Sequence, residues 1–402
     1  MRIVLSEDHT MPIVSVALSY EAGSIHEPED KTGLAVMIEN LMMFHGSRNV
    51  GPMQHINFLN RIGGRFNATT TADKTTFLQT VPTNQLALVL WLESDRMNSL
   101  HITRENVEQV KQTLLRDIFE RKATNPYLGP SMTFDQWIFS DFEYNHPISG
   151  YDFHIRKLRQ RDVIEFYRTF YTPNNAVLSI VGDIDPERTR QLVELYFQTI
   201  PSGPKLPDWP AKALKEMNEN EQYSEETAAN SPGLFLGYRL CSPMANDFSP
   251  LVLCEYLLIK GITSRLYKRL VTRDRYASHI SGGIVIRKDR AIFRIFAVIN
   301  NERNRERSHR AILSEINRFR SNLVSAKELA KAKALIKSDF QNRLSTTAGR
   351  AVYYAETLFS GANLENSNNE LIKYLSVTTN SIKITADRYF SKANVILDVK
   401  IK

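Results

Sequence analysis

Apolar and polar residues alternate along Pro12-Ile13-Val14-Ser15-Val16-Ala17-Leu18-Ser19-Tyr20, a period of two that predicts a β-strand. A Gly-containing loop, Glu21 to Gly33, leads into a run from about Leu34 to Phe44 that is apolar on nearly every face. That run predicts a buried helix ended by Gly46 and Ser47. Alternation returns over Thr69 to Val81 and predicts a second strand that Pro82 stops; Asn84 to Met97 then resumes helical spacing, with Leu86, Leu90 and Met97 inward. Amphipathic helices follow over Arg104 to Lys122 and Asp162 to Tyr171, and a buried strand over Asn175 to Val181 closed by Gly182 and Asp183.

The pattern then changes. Pro201, Pro204, Pro207, Pro210 and Pro232 punctuate a stretch whose polar run, Asn218 to Asn230, has no large aliphatic residue, and this predicts a linker over 201–232. Beyond it the same order returns: a strand Leu234 to Leu240, helices Pro250 to Ile259 and Arg265 to Val271, strands near Gly282 to Ile286 and Ile292 to Val298, then helices Glu306 to Leu323 and Ala326 to Asn342. The repeated order predicts a duplicated α+β unit, with 1–200 and 233–402 as its two domains.

Composition narrows the class without naming a function. With 402 residues, 42% hydrophobic and 24% charged, the chain has ample material for packed cores, which argues against disorder, collagen or a coiled coil. The net charge of +7 raises the question of nucleic acid. Acids interleave with the bases, however, and the densest cluster, Arg303 to Arg310 with Glu302 and Glu306, reads as the solvated start of a helix. Cys241 and Cys254, the only two cysteines, read as buried small hydrophobes. No stretch approaches the ~18 apolar residues that span a bilayer, and Met1 to Asp8 lacks the apolar run of a secretory signal.

Chemistry concentrates in Gly33-Leu34-Ala35-Val36-Met37-Ile38-Glu39-Asn40-Leu41-Met42-Met43-Phe44-His45 and in Gly63-Gly64-Arg65-Phe66-Asn67-Ala68-Thr69-Thr70. Glu39 is a carboxylate in an apolar helix, and burial makes it need a hydrogen-bond donor or a cation; a helix-end Glu capped by water is the bland alternative. The paired glycines suit either a hairpin turn or a close backbone approach.

Over essentially its whole length the sequence resembles the pitrilysin-like, insulinase-like M16 zinc peptidases of the two-domain bacterial type related to mitochondrial processing peptidase. Trp91 to Met97, Tyr171 to Leu178, Val181-Gly182-Asp183 and Thr263 to Val271 share the resemblance as scaffold. The fold it implies is α+β, two homologous α/β-sandwich halves of the M16 metallopeptidase (LuxS/MPP-like) type forming a clamshell. Members carry H-x-x-E-H on the first helix, two zinc-binding His around a general-base Glu, with a downstream carboxylate as third ligand.

Transferred residue by residue, the His positions are Val36 and Asn40, the general-base position is Glu39, and the downstream ligand position is Asp117. Valine has no lone pair and Asn only a neutral amide, so no metal is expected here although the family uses zinc. A replacement set of Glu39, His45 and Asp117 is the displaced-ligand alternative; His55 lies beyond a loop. The resemblance further implies a peptide-pairing edge strand at Asn67, Ala68 and Thr69, and a substrate-holding pair at Arg350 and Tyr354, or in another register Val352 and Phe359. It implies a non-catalytic subunit, inactive by itself, that dimerises with an active zinc-bearing M16 homologue, or with itself, to enclose a peptide or protein substrate. A divergent zinc metalloendopeptidase and a stand-alone homodimeric peptide-binding scaffold are the alternatives. Neither nucleic acid nor a membrane span is expected. The expected compartment is the bacterial periplasm with the signal peptide removed, and otherwise the cytoplasm.

Overall fold

The structure, a computed structural model, describes residues 1–207, 217, 219–361, 364 and 368–402. Along the first half the elements are β1 (Arg2–Glu7), β2 (Ile13–Tyr20), α1 (Leu34–Phe44), α2 (Gln54–Arg61), β3 (Arg65–Thr70), β4 (Thr75–Pro82), α3 (Leu86–Asn98) and α4 (Arg104–Thr124). They continue with α5 (Leu128–Ile138), α6 (Phe142–Asn145), α7 (Asp152–Lys157), α8 (Gln160–Phe170), β5 (Ala176–Gly182) and α9 (Pro186–Phe197). The second half supplies β6 (Glu221–Thr227), β7 (Gly233–Arg239), α10 (Phe248–Leu258), α11 (Arg265–Tyr267), β8 (Ala277–Arg287) and β9 (Arg290–Ile299). After these come α12 (Arg305–Ser321), α13 (Ala326–Leu344), α14 (Thr347–Phe359), α15 (Asn368–Ser376), α16 (Thr379–Phe390) and β10 (Asn394–Ile401).

The duplication is visible in the sheets. One has the order β1-β5-β2-β4-β3 and the other β6-β10-β7-β9-β8. In each, the first two strands are parallel and all other neighbours antiparallel. The fold is α+β in two halves built alike.

Strand parity decides what covers each sheet. In β2, Val14, Val16, Leu18 and Tyr20 point into a core shared with Leu34, Met37, Ile38 and Leu41 of α1 and Val89 and Leu90 of α3. The intervening Ala17 points the other way, where it packs with Val181 of β5 and Ala351 of α14. Ser15 on that same face pairs its hydroxyl with Thr347 at 2.8 Å. The second half repeats this. Leu234, Leu236 and Tyr238 of β7 face the core with α10 and α12, whereas Phe235 stacks on Phe134 of α5 with ring centres 5.5 Å apart. Gly237 faces α5 as well, because a Cβ there would stand 2.5 Å from the Ile138 Cδ1.

Each sheet thus takes the cover of its second face from the other half of the chain. One compact unit comprises Met1–Phe119, His146–Trp209 and Gln341–Ser367; the other comprises Glu120–Asn145, Pro210–Phe340 and Asn368–Lys402. Ion pairs fasten the exchanged segments: Asp8 with Arg350 and Lys74 with Glu356 in one unit, Asp135 with Arg287 (2.6 Å) and Arg294 (3.3 Å) in the other. The strands of each sheet come from one half of the sequence, within 2–182 and 221–401, whereas the compact units exchange segments, since sequence adjacency carries no information about which distant helix covers a face.

Three further expectations change. Part of the expected linker is β6, whose polar alternation suits an edge strand bound to β10 on one side only; residues 208–216 and 218 of that stretch lie outside the described residues. The expected strand Thr69 to Val81 is a hairpin, because the Thr71 hydroxyl accepts the Asp73 and Lys74 amides and turns the chain. The helix expected over 265–271 ends at Tyr267 and widens into a π-turn, Lys268–Arg273.

Beneath α1 and α2 lies a buried polar network. Arg96 and Glu93 of α3 are 2% and 0% exposed and paired, Nε to Oε2 at 2.8 Å. Gln79 of β4 donates to Glu93 and to the His55 Nε2 (3.2 Å), and the Arg96 guanidinium lies 4.0 Å from the Phe77 ring centre. Burial pushes Glu93 up, opposed by Arg96, and burial together with Arg96 pushes His55 well below the ordinary imidazole value. His55 is therefore a neutral core histidine.

Two outcomes are expected. Arg96→Ala leaves Glu93 buried without its cation and should cost about 3–5 kcal/mol, read as a lowered denaturant midpoint with unchanged slope. Fragment 1–207 made alone lacks α14 and exposes the Ala17 and Val181 face; it should bind a hydrophobic dye strongly, and co-expression with 219–402 should abolish that binding.

Candidate functional site

The site is assembled on α1 and the neighbouring edge strand β3. Gly63, at φ +71°, turns the chain out of α2 in the left-handed region, and Gly64 brings the backbone against Leu59 and Val81 at the start of β3. Within β3 the parity is strict: Phe66, Ala68 and Thr70 are half-buried, while Arg65, Asn67 and Thr69 are exposed. Among the described residues β3 pairs with β4 on one side and with no strand on the other, the arrangement that strand addition uses.

Glu39 lies half-buried on α1 against this strand. The Thr70 hydroxyl donates to its Oε2 at 2.5 Å, and the Thr70 amide also faces the carboxylate. Behind them a chain of hydroxyls runs into the core, Thr70 to Thr75 at 3.3 Å and Thr75 to Tyr171 at 3.0 Å, with Tyr171 donating to the Ala35 carbonyl at 3.4 Å. Among the described residues Glu39 has no ion-pair partner, and burial pushes its carboxyl above the ordinary range against the Thr70 hydrogen bonds. Val36 and Asn40 sit beside it, both half-buried. The Asn40 amide nitrogen donates back to the Val36 carbonyl at 3.0 Å, which satisfies that amide within its own helix. Asp117 of α4 is exposed.

No three His, Cys, Asp or Glu side chains among the described residues come together as a metal site requires. The set Glu39, His45 and Asp117 is therefore not assembled. His45 instead caps the end of α1, bonded to Asn106, and burial lowers its pKa. Arg350 and Tyr354 belong to α14, on the sheet face opposite α1. Arg350 is engaged by Asp8 and by the Leu344 carbonyl (3.2 Å), and Tyr354 packs on the Ala17 and Val181 cluster, so neither is brought to Glu39. In the other register, Val352 packs on that cluster too, and Phe359 lies 5.2 Å from the Arg2 guanidinium.

The residue that the motif reading passed over is Thr70. Its signal was present, since it shares inward parity with Phe66 and Ala68 and so had to meet something polar beneath the strand.

Two family models match the chain. One, described as Insulinase (Peptidase family M16), covers residues 2–129, and the other, described as Peptidase M16 inactive domain, covers residues 157–336. The second description concerns the later part of the chain and not the helix bearing Glu39. The chain is 23% identical over 384 residues to the zinc protease PqqE of Helicobacter pylori, a match covering 94% of this chain and 85% of that protein. Among solved structures, a protease from Helicobacter pylori aligns with a TM-score of 0.91 at 21% identity, over 98% of this chain and 96% of that one. The periplasmic protease PqqL from Escherichia coli aligns with a TM-score of 0.78 at 17% identity over 99% of this chain, which spans 46% of that longer protein. These structural likenesses carry the fold; the two family models together take in more than half of the sequence, and on that ground the chain belongs to the M16 family of insulinase-like peptidases.

Proposed function

We propose that this chain is a catalytically inactive M16 peptidase-like subunit, which binds peptide and helps enclose it while a zinc-bearing homologue supplies the chemistry. The observation that carries this reading is the donor set on α1. Zinc in a catalytic site needs three protein donors, preferably imidazole or thiolate, plus an open position. Val36 has no donor atom, the Asn40 amide is bonded to its own helix, and Asp117 is exposed. These residues do not fit zinc. Glu39 keeps the general-base position but has no metal-bound water to act on.

What remains usable is the edge. Asn67, Ala68 and Thr69 present an ordered free strand, and an extended peptide adding there would gain main-chain hydrogen bonds with little demand on side-chain identity. Arg350 and Tyr354 serve α14 packing in this reading and do not hold peptide. No helix among the described residues is long and apolar enough to cross a membrane. The name of the Escherichia coli structural relative favours a periplasmic setting.

Elemental analysis of the purified protein, with a fluorogenic-peptide assay in the presence and absence of a chelator, tests the reading. The expected result is neither stoichiometric zinc nor chelator-sensitive cleavage; finding both would refute it in favour of a divergent metallopeptidase. Pull-down from the native source should recover a homologue with intact H-x-x-E-H, and recovery of this chain alone would favour a homodimeric scaffold. Restoring donors with Val36→His, Asn40→His and Asp117→Glu should confer zinc binding that tightens as pH rises through the ordinary imidazole value of about 6.5, because metal displaces the ring proton.

A further inference from the structure

The grip of Glu39 on β3 has a counterpart in the other half, where no zinc motif occurs. The helix that follows the middle strand is α1 in the first sheet and α10 in the second, and the free edge opposite the parallel pair is β3 in the first and β8 in the second. On α10 the half-buried Glu255 faces the Ile284 amide of β8. Gly283 of β8 lies so close that a Cβ there would stand 2.5 Å from the Glu255 Oε1. In both halves a glutamate on the same helix of the unit therefore meets the backbone of the free edge strand.

We propose that Glu39 and Glu255 are positioning residues, each a carboxylate clasp that fixes the edge strand of its sheet, so that the edge stays an ordered template open to solvent on its outer side. An edge strand has ladder hydrogen bonds on one side only and frays more readily than an interior strand. A helix carboxylate that accepts from the strand removes part of that freedom while engaging a single outer amide, that of Thr70 in β3 and of Ile284 in β8, and it leaves the remaining outer hydrogen-bonding groups to solvent. For Glu39 the clasp consists of the Thr70 hydroxyl at 2.5 Å with the Thr70 amide beside it, and the hydroxyl chain through Thr75 to Tyr171 anchors it in the core. Retention of Glu39 next to Val36 and Asn40 follows, since the clasp needs an acceptor and no metal. The part of this inference that concerns peptide rests on the docking at β3 proposed above; the clasp itself does not.

Hydrogen exchange of the full chain, with binding of fluorescein-labelled casein peptides as a second measurement, tests it. Glu39→Ala should speed exchange of the β3 amides about tenfold, and Glu39→Gln, whose amide oxygen still accepts from Thr70, should stay within about twofold of the parent. Thr70→Val removes the donor at nearly constant volume and should reproduce Glu39→Ala, which keeps the test alive if that variant folds poorly. Glu255→Ala should loosen β8 and leave β3 unchanged. Peptide affinity should fall with Glu39→Ala and recover with Glu39→Gln. Unchanged β3 exchange in both Glu39→Ala and Thr70→Val overturns the clasp, as does Glu39→Gln behaving like Glu39→Ala. Loosened β3 with undiminished peptide affinity upholds the clasp and defeats the docking reading.

Discussion

A strand that is apolar on both faces has to be covered twice, and most of this structure follows from that. Every residue of β5 is buried, and so is nearly every residue of β7. The helices that follow each strand in sequence cover one face only. The second face of each sheet is covered by a helix from the other half, α14 for the first and α5 for the second, with small residues such as Ala17 and Gly237 admitting the close approach. Leaving those faces to water would forfeit roughly 25 cal/mol for each Å² of apolar surface, which is why the exchange is obligatory for both halves.

The sheets that need two covers each end in two edge strands, β1 and β3 in the first and β6 and β8 in the second. In both, the strand order puts a single strand, β3 or β8, at the outer side of the antiparallel run. An open edge is a hazard because it invites aggregation, and it is useful because it binds extended chains. Here the exposed β3 residues are polar, Arg65, Asn67 and Thr69, which suits selective strand addition better than aggregation.

Beside that edge, Val36 and Asn40 present no imidazole, and the Asn40 amide that bonds to its own i−4 carbonyl is satisfied locally. Glu39 could not be retained on electrostatic grounds alone, because it is half-buried and has no cation among the described residues. Thr70 makes it tolerable, and the bond to Thr70 in turn ties α1 to β3.

The sequence by itself determined the duplicated α+β plan, the β2 and α1 elements, the family it resembles, and the absence of histidine at positions 36 and 40. These are properties of local periodicity, of motifs continuous in the chain, or of residue chemistry at one position. Only the tertiary structure decided that β6 is a strand, since its polar alternation resembles a linker until β10 pairs with it. Only the tertiary structure put Arg350 against Asp8, on the far side of the sheet from Glu39, and only there do Glu39 and Thr70, or Glu255 and Gly283, meet. Contacts between residues far apart in the chain depend on which face of a sheet each one reaches. Parity fixes the face of a strand residue, but the helix that arrives to cover it is set by the whole topology, because burial is satisfied by any apolar partner and sequence distance does not enter its free energy.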